Sequence, residues 1–260
     1  MSHNDDGLTI ARERIAEEAR TRTGSLDLRM LGLDELPAEL FGLTFLRRLN
    51  LGGSYWDAEG NQVDRASWIA PNRLDSQLHR LAALPDLCAL SLSGTTLTTL
   101  AGIAHLRTLE SLDCTGTQVS DLSPVGGLSA LQTLNITQTQ VSNLSPLSGL
   151  SALQTLVCSG THVKALSPLS GLSALQTLYC DGTQIKDLSP LSGLTALQTF
   201  HCSRCFLETI PEDFCLLRWM PFTCSKPKCR ESRSRCSLRI STITACIPYA
   251  LILGISAQAR

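Results

Sequence analysis

The sequence contains neither the start of a secretion signal nor an apolar run long enough to cross a membrane. Residues 1–7 are polar and acidic, with no positive start followed by an apolar stretch. The apolar segment 243–255 (ITACIPYALILGI) has only thirteen residues and includes a proline, whereas about 20 apolar residues are needed to span a bilayer. We therefore expect a cytoplasmic protein with no stable membrane span.

Motifs typical of catalysis are also missing. The sequence contains no GxxxxGK[ST] loop that could cradle phosphates, and no pair of carboxylates stands out. The five histidines have no regular relation to one another. We therefore expect no enzyme activity and no cofactor.

Charged residues are few and unevenly placed. They make up 17% of the chain against 43% hydrophobic residues, a balance typical of a folded globular protein. Residues 223–260 carry seven Lys or Arg and one acid, so the net charge of −1 hides an acidic body of about −7 and a basic tail. We expect no nucleic-acid partner for this acidic body.

One sequence period dominates the chain. The thirteen residues LSPLSGLSALQTL occur at 144–156 and again at 166–178, a spacing of 22 residues. Near copies occupy 122–134 and 188–200, and looser copies begin at Leu84 and Leu106, so six consecutive turns share the period. Self-similarity at a fixed period of this length indicates a solenoid whose turns stack on their neighbours.

The pattern within a turn, L-x-x-L-x-L/C-x-x-T-x-L/V/I, resembles that of the leucine-rich-repeat family. It is similar to the roughly 22-residue kind found in internalin-like and phosphatase-regulating members. The resemblance covers about residues 25–222. It implies an α/β solenoid, curved like a horseshoe or arc, with parallel strands on the concave face and short helical or 3-10 turns on the convex face. It also implies a scaffold that binds another protein or peptide, and we expect a monomer.

Residue chemistry predicts the structure of one turn. Side chains alternate along a strand, so Leu112 and Cys114 point to the core and Asp113 between them points outward. The Ser-Pro pair at 123–124 favours the start of a helical turn, since serine can cap free N–H groups and proline loses no bond there. The turn back to the next strand is predicted at four glycines: Gly127, Gly149, Gly171 and Gly193.

Threonine and cysteine fill two inward columns. The position where many family members carry asparagine holds threonine, and we expect these hydroxyls to bond loop backbone between turns: Thr95, Thr117, Thr139, Thr161 and Thr183. Cysteine replaces aliphatic residues in the core column of the strands, where it acts as a small hydrophobe: Cys114, Cys158, Cys180 and Cys202. Without a secretion signal, the eleven cysteines are expected to be free thiols.

A nucleophile and a metal site are both disfavoured at the Cys202-x-x-Cys205 motif. His201 adjoins Cys202, but successive strand residues face opposite ways, so the imidazole cannot activate the thiol. Both cysteines stand on framework positions of the repeat, and the later spacings to Cys224, Cys229 and Cys236 match no tight ligand pairing. We predict neither a catalytic residue nor a metal site.

Residues 1–24 form an N-terminal tail with a predicted capping helix at about 9–20, whose buried face would include Ile10, Ile15 and Ala19. The segment that leads into the repeats also resembles the start of bacterial Roco-type repeat domains, in which the array precedes a GTPase. An alternative function is therefore the recognition arm of a larger signalling enzyme. Because no phosphate loop is present, no nucleotide role follows.

An insertion at about 53–71 interrupts the array, because Leu43 and Leu84 are 41 residues apart instead of 22. It holds Tyr55, Trp56 and Trp68, half of all Trp and Tyr in the chain. Tryptophan and tyrosine are favoured interface anchors, so Trp56 and Trp68 are candidate partner contacts. An equally good explanation is that these rings cover a gap in the stack.

Residues 223–260 form a basic, cysteine-rich tail with an apolar end. Three interpretations stay open: a makeshift cap over the end of the core, a membrane or nucleic-acid contact through the basic run, or an altered end of a longer protein. Met220-Pro-Phe222 places a proline where a central strand needs a donor, so the repeat pattern stops there.

The outward strand positions give the best candidate site. Framework residues repeat almost unchanged, whereas the outward position differs from turn to turn: Asp113, Asn135, Val157, Tyr179 and His201. Asp181 and Arg204 stand at the next outward positions. We predict that these residues contact the partner on the concave face. The alternative is that they vary because nothing constrains them.

Overall fold

The structure, a computed structural model, describes residues 3–53 and 69–208. In these ranges a helix, α1 (His3–Thr21), precedes eight short strands: β1 (Ser25–Asp27), β2 (Arg48–Asn50), β3 (Ala89–Ser91), β4 (Ser111–Asp113), β5 (Thr133–Asn135), β6 (Thr155–Val157), β7 (Thr177–Tyr179) and β8 (Thr199–His201). The strands form one parallel sheet in sequence order. The predicted leucine-rich-repeat solenoid is confirmed.

Short 3-10 helices return the chain to the start of the next strand. They lie at Ala38–Gly42, Leu78–Ala83, Ala101–Ile103, Ser123–Val125, Ser145–Gly149, Ser167–Leu169 and Ser189–Leu191. In the 3-10 helix Leu78–Ala83, the side chains of Leu78 and Leu81 are buried. From β3 onward, each strand residue lies opposite the equivalent residue of the next turn, one repeat later in the sequence. Leu112, for example, lies opposite Leu134. Arg48 of β2 lies opposite Ala89 of β3, so the sheet is continuous across the insertion.

The core is a set of columns that run along the solenoid. Leu112, Leu134, Leu156 and Leu178 of the strands are fully buried, and so is Cys114. Burial of a leucine side chain contributes roughly 1.5–3 kcal/mol before entropy is subtracted. Since one turn cannot hide its own leucines, the turns are stable only as a stack.

Helix α1 covers the first turn, and two residues of its predicted face are confirmed, since Ile15 is buried and Ile10 packs partly buried against the core. Ala11, Ile15 and Glu18 are buried, whereas Ala19 is exposed, so the prediction for Ala19 is wrong. The reason is the Glu18 carboxylate, which accepts hydrogen bonds from Thr23 Oγ1 at 2.6 Å and from the Gly24 N–H at 2.7 Å. These bonds turn the helix so that position 18 faces the array.

The inward threonines bond backbone within their own turn rather than between turns, although Thr183 Oγ1 also lies 3.3 Å from Cys205 Sγ of the next turn. Thr117 Oγ1 donates to the carbonyl of Cys114 at 2.8 Å, and Thr139 Oγ1 donates to that of Ile136 at 2.7 Å. The predicted ladder between turns is therefore wrong. The carbonyl three residues back lies within hydrogen-bond distance of each of these hydroxyls, so the hydroxyl bonds the backbone of its own loop.

Asparagine does occupy this position once, directly after the insertion. Asn72 is fully buried, and its Nδ2 donates to the carbonyls of Leu28 at 2.9 Å and Leu51 at 2.7 Å. Its Oδ1 accepts the N–H of Leu33 at 2.8 Å. Asn72 thus ties the first two turns to the loop that follows the insertion.

The four predicted turn glycines are not the ones that need to be glycine. Gly127, Gly149, Gly171 and Gly193 do not have positive φ angles. The left-handed residue instead lies three positions after the end of β1 and of β3 to β8: Met30 (φ 52), Gly94 (φ 64), Gly116 (φ 68), Gln138 (φ 55), Gly160 (φ 67), Gly182 (φ 65) and Arg204 (φ 59). The chain therefore makes its strained turn at the carboxyl end of the strand.

The Ser-Pro pairs open the 3-10 helices, although serine does not cap them. In the turn at Ser123–Val125, proline is among the first helical residues and no side-chain cap bond is present. Ser123 is itself a donor, because its N–H and Oγ bond Asp121 Oδ1 at 2.8 and 2.6 Å. The predicted capping role of serine is therefore wrong, and the acceptor is the acidic or amide residue two positions earlier.

Candidate partner-binding face

We use the term sheet face for the surface formed by the outward strand residues and the residue two positions after each of them. The predicted outward residues lie side by side in register, Asp113 opposite Asn135 and Tyr179 opposite His201, with Val157 between the two pairs. Strand pairing alone brings them together, since every turn adds one residue to the row. The structure does not test whether a partner contacts them.

The row is less open than the sequence predicts. Asp113, Asn135 and Val157 are only 7%, 5% and 3% exposed, whereas Tyr179 and His201 are partly exposed. Neighbouring strands lie about 4.8 Å away on both sides, so a short side chain is covered by its neighbours and only a large one stands above them. The prediction of an open surface is therefore wrong for the first three residues.

Asp113 and Asn135 also have bonds within their own loop. Asp113 Oδ1 accepts the N–H of Thr115 at 3.0 Å and its Oγ1 at 2.6 Å. Asn135 Oδ1 accepts the same two groups of Thr137 at 3.1 and 2.7 Å. Burial raises the pKa of the Asp113 carboxyl above its ordinary value, although the bonds from Thr115 oppose this shift. Both side chains therefore hold the loop after the strand.

Tyr179 and His201 form a stacked aromatic pair on the sheet face. Their ring centroids are 4.6 Å apart and the ring planes differ by 17°. The pair stands at the end of the row, because β7 and β8 are the last strands of the described sheet. Stacking holds both rings in one orientation, which makes them a preorganised apolar surface.

Asp181 lies beside this pair and is fixed by the turns on both sides. Its Oδ1 accepts the N–H of Ser203 at 2.6 Å, and its own N–H donates to Ser159 Oγ at 3.1 Å. The pKa of Tyr179 is raised, first by partial burial and then by the negative charge of Asp181. The sequence places Asp181 on the face, but it does not reveal these two serines as its anchors.

Of the remaining predicted contact residues, the structure describes Arg204 but not the two tryptophans of the insertion. Arg204 is exposed next to the face, as predicted, but it occupies the left-handed position after β8. Trp56 and Trp68 lie outside the described residues, and so does the tail 223–260.

A residue that sequence reasoning missed is Phe206, which is 66% exposed. Its signal is that phenylalanine replaces the glutamine found at Gln118, Gln140 and Gln184 of earlier turns.

The thiols Cys158 and Cys114 of the core column have raised pKa values, which disfavours the reactive thiolate form. Cys158 is fully buried, and burial is the main reason that its pKa is raised to about 12. Cys114, also fully buried, has its pKa raised well above the ordinary value by burial and by Asp113. Among residues 3–53 and 69–208, no three His, Cys, Asp or Glu are grouped so as to hold a metal ion.

Comparison with known proteins identifies the repeat. A family model for leucine-rich repeats, two copies long, matches residues 173–214. The structure is similar to internalin C2 of Listeria monocytogenes, with 28% identity, a TM-score of 0.63, and coverage of 78% of this chain and 80% of that one. It is also similar to the internalin inlF of the same organism, with 26% identity, a TM-score of 0.59, and coverage of 75% of this chain and 52% of that one.

A more distant likeness shows the fold alone. The plant peptide hormone receptor RGFR1, solved in complex with RGF2, has 19% identity and a TM-score of 0.58, with coverage of 77% of this chain and 32% of that one. No curated protein matches the chain in sequence. The relatives named here include no Roco-type protein, so the predicted signalling-enzyme arm has no support from them. Within the described part of the chain, no helix is long and apolar enough to cross a membrane.

Proposed function

Because this chain is a leucine-rich-repeat protein, we propose that it binds another protein or peptide on its sheet face, with Tyr179 and His201 as the main contact. Arrays of this fold are typically scaffolds for protein interaction. The observation that supports this face is the stacked, partly exposed pair of rings at the end of a row of short side chains. We propose that the protein acts in this way as a cytoplasmic monomer.

The energetics favour a few anchors over the whole row. A standard interface covers about 800 Å² on each partner, but a small number of buried aromatic and arginine side chains supply most of the free energy of binding. Asp113 and Asn135 already use an acceptor atom within their own loops. Tyr179 and His201 have ring surface to offer and little conformational freedom to lose.

The test is a double substitution, Tyr179→Ala with His201→Ala, in the full chain. We expect capture of the partner from an extract to fall at least tenfold, because both anchors are removed. The free energy of unfolding should fall by only about 0.5–1.5 kcal/mol, the usual contribution of an aromatic pair. Quantitative capture and chemical denaturation measure the two effects.

The matched control is Gln118→Ala with Gln184→Ala, which truncates two exposed side chains outside the face. The control should leave capture unchanged. Equal capture by the wild type and the aromatic double variant would show that the partner binds elsewhere.

A further inference from the structure

We propose that the sheet face contains a subsite for one basic side chain, a lysine or arginine of the bound polypeptide, formed by Tyr179, Asp181 and Val157. The proposal rests on the proposed function and adds the chemistry of the partner to it. The subsite is a slot beside the tyrosine ring with a carboxylate at one end. It would recognise a long side chain with an apolar stem and a positive end.

The first argument is the free side of the Tyr179 ring. Tyr179 lies between two neighbours in the sheet, Val157 of β6 and His201 of β8. His201 stacks on the ring from the β8 side at 4.6 Å. On the β6 side Tyr179 is paired with Val157, which is shorter and only 3% exposed. We infer from the shortness of this neighbour that the other ring face stands uncovered above it. This geometry makes a slot with an aromatic wall and an aliphatic floor.

The second argument is the Asp181 carboxylate. One of its oxygens accepts the Ser203 N–H at 2.6 Å, and this bond fixes the position of the group. No lysine or arginine among the described residues forms an ion pair with Asp181. Partial burial and, second to it, the negative charge of Asp181 raise the pKa of Tyr179, which places the carboxylate near the ring. A fixed carboxylate beside an aromatic face attracts a cation by both its charge and the ring quadrupole.

The third argument is the charge of the surrounding face. From β4 to β8, the outward strand residues and those two positions later include Asp113 and Asp181 but no lysine or arginine. Apart from these two aspartates and His201, these positions hold uncharged side chains. Arg204 is exposed next to the face, outside these positions. A basic side chain beside Tyr179 would therefore meet the Asp181 carboxylate and no lysine or arginine of the face itself, whereas an acidic side chain would be repelled.

The experiment selects displayed random 12-residue peptides on the full chain and measures the affinities of the selected peptides by fluorescence anisotropy. We expect the peptides to share a lysine or arginine. Replacement of that residue by glutamine should lower the affinity about tenfold, which matches the combined size of an exposed cation–π contact and a solvent-exposed ion pair. The effect should weaken as the salt concentration rises.

Two variants of the chain locate the effect. Asp181→Asn keeps the acceptor for Ser203 and removes the charge, so the variant should fold normally and lose most of the preference for the basic over the glutamine peptide, with only the ring contribution left. Tyr179→Leu removes the aromatic wall and should also lower the preference. Asp121→Asn is the matched control, because it removes one exposed carboxylate near the 3-10 helix at Ser123–Val125. It should leave the preference unchanged.

The outcomes separate this proposal from the proposed function. Peptides without a basic residue that still need Tyr179 and His201 would overturn the subsite and leave the sheet face as the binding surface. A preference for basic peptides that is as large in Asp181→Asn as in the wild type would also overturn the subsite. Peptides that bind the aromatic double variant as tightly as the wild type, or no enrichment at all, would count against the proposed function itself.

Discussion

Asp113 and Asn135 show how one residue position can hold a loop with or without charge. Both accept the N–H and the hydroxyl of a threonine two positions later, at nearly equal distances. Both are almost fully buried. The aspartate differs only in that its ionised form must be kept in a poorly solvated place, which disfavours the charge. Asn135 is therefore an uncharged counterpart of Asp113 with the same shape and the same bonds, one turn later.

We predict that Asp113→Asn stabilises the protein at neutral pH. Burial raises the folded-state pKa of Asp113, so its protonated form favours folding below the ordinary value of 3.8, and this contribution is lost as the pH rises through the folded-state value. The amide keeps the acceptor and has no charge to desolvate. The melting temperature should rise by a few degrees at pH 7 and match that of the wild type near pH 3, as measured by circular dichroism.

Asp121→Asn is a control with the opposite sign. Hydrogen bonds from Ser123 lower the pKa of Asp121, so its contribution is present above the ordinary value of 3.8 and is lost as the pH falls through the folded-state value. The variant should not gain stability at pH 7. A pH-independent effect of Asp113→Asn would contradict the explanation based on burial.

The sequence predicts the residue positions better than their exposure. Alternation correctly places Asp113, Asn135 and Tyr179 in one row, because the period of a strand is two. It cannot report that a short side chain is covered by its neighbours, since this depends on side-chain size in the adjacent turns. The stacking of Tyr179 on His201 has the same origin, because the two residues are 22 positions apart in the chain and adjacent in space.

At the scale of one turn, the loop after each strand is the strained element. Four of the recurring left-handed positions hold glycine, but Gln138 has a φ of 55° there. A side chain in this conformation costs about 1–2 kcal/mol. The chain therefore contains the same loop in two forms, one with glycine and one with a larger residue at the left-handed position.

We predict that Gln138→Gly stabilises the protein by about 0.5–1 kcal/mol, the cost of the left-handed conformation less the extra chain entropy of glycine. The reverse change in the next turn, Gly160→Ala, should destabilise it by about 1 kcal/mol, because the φ there is 67°. Urea denaturation measures both. Gly171→Ala is the matched control, since its φ is not positive and an added Cβ meets nothing within 4 Å. A loss of stability in Gly171→Ala as large as that in Gly160→Ala would refute this assignment.

The wrong prediction of the turn glycines shows what a sequence pattern cannot reveal about one turn. Gly149 and Gly171 belong to the longest verbatim copy, which made them look essential. Gly116 and Gly160 belong to a less regular part of the turn, where Gln138 interrupts the column. Repetition shows which residues are kept, but only the backbone angles show which residues need the freedom of glycine.

For the whole molecule, the stack depends on contacts between successive turns. The period predicts the strands to within about one residue, but it does not predict that the register continues across the insertion, where the offset is 41 residues instead of 22. The role of Asn72 could not be predicted, because the insertion separates it from the strand of its own turn and thereby removes it from the repeat frame. Its three hydrogen bonds instead join Leu28, Leu33 and Leu51.

We predict that Asn72→Ala loosens the N-terminal turns and leaves the centre of the array folded. Each backbone group left unpaired at a buried site costs about 1–3 kcal/mol, and three groups lose their partner. Because a solenoid turn contacts only its neighbours, hydrogen exchange should accelerate by at least tenfold in β1 and β2 but not in β5 to β7. Thr139→Val, which removes one bond in the centre, should instead accelerate exchange around β5. Uniform acceleration across all eight strands in Asn72→Ala would mean that the array unfolds as one cooperative unit.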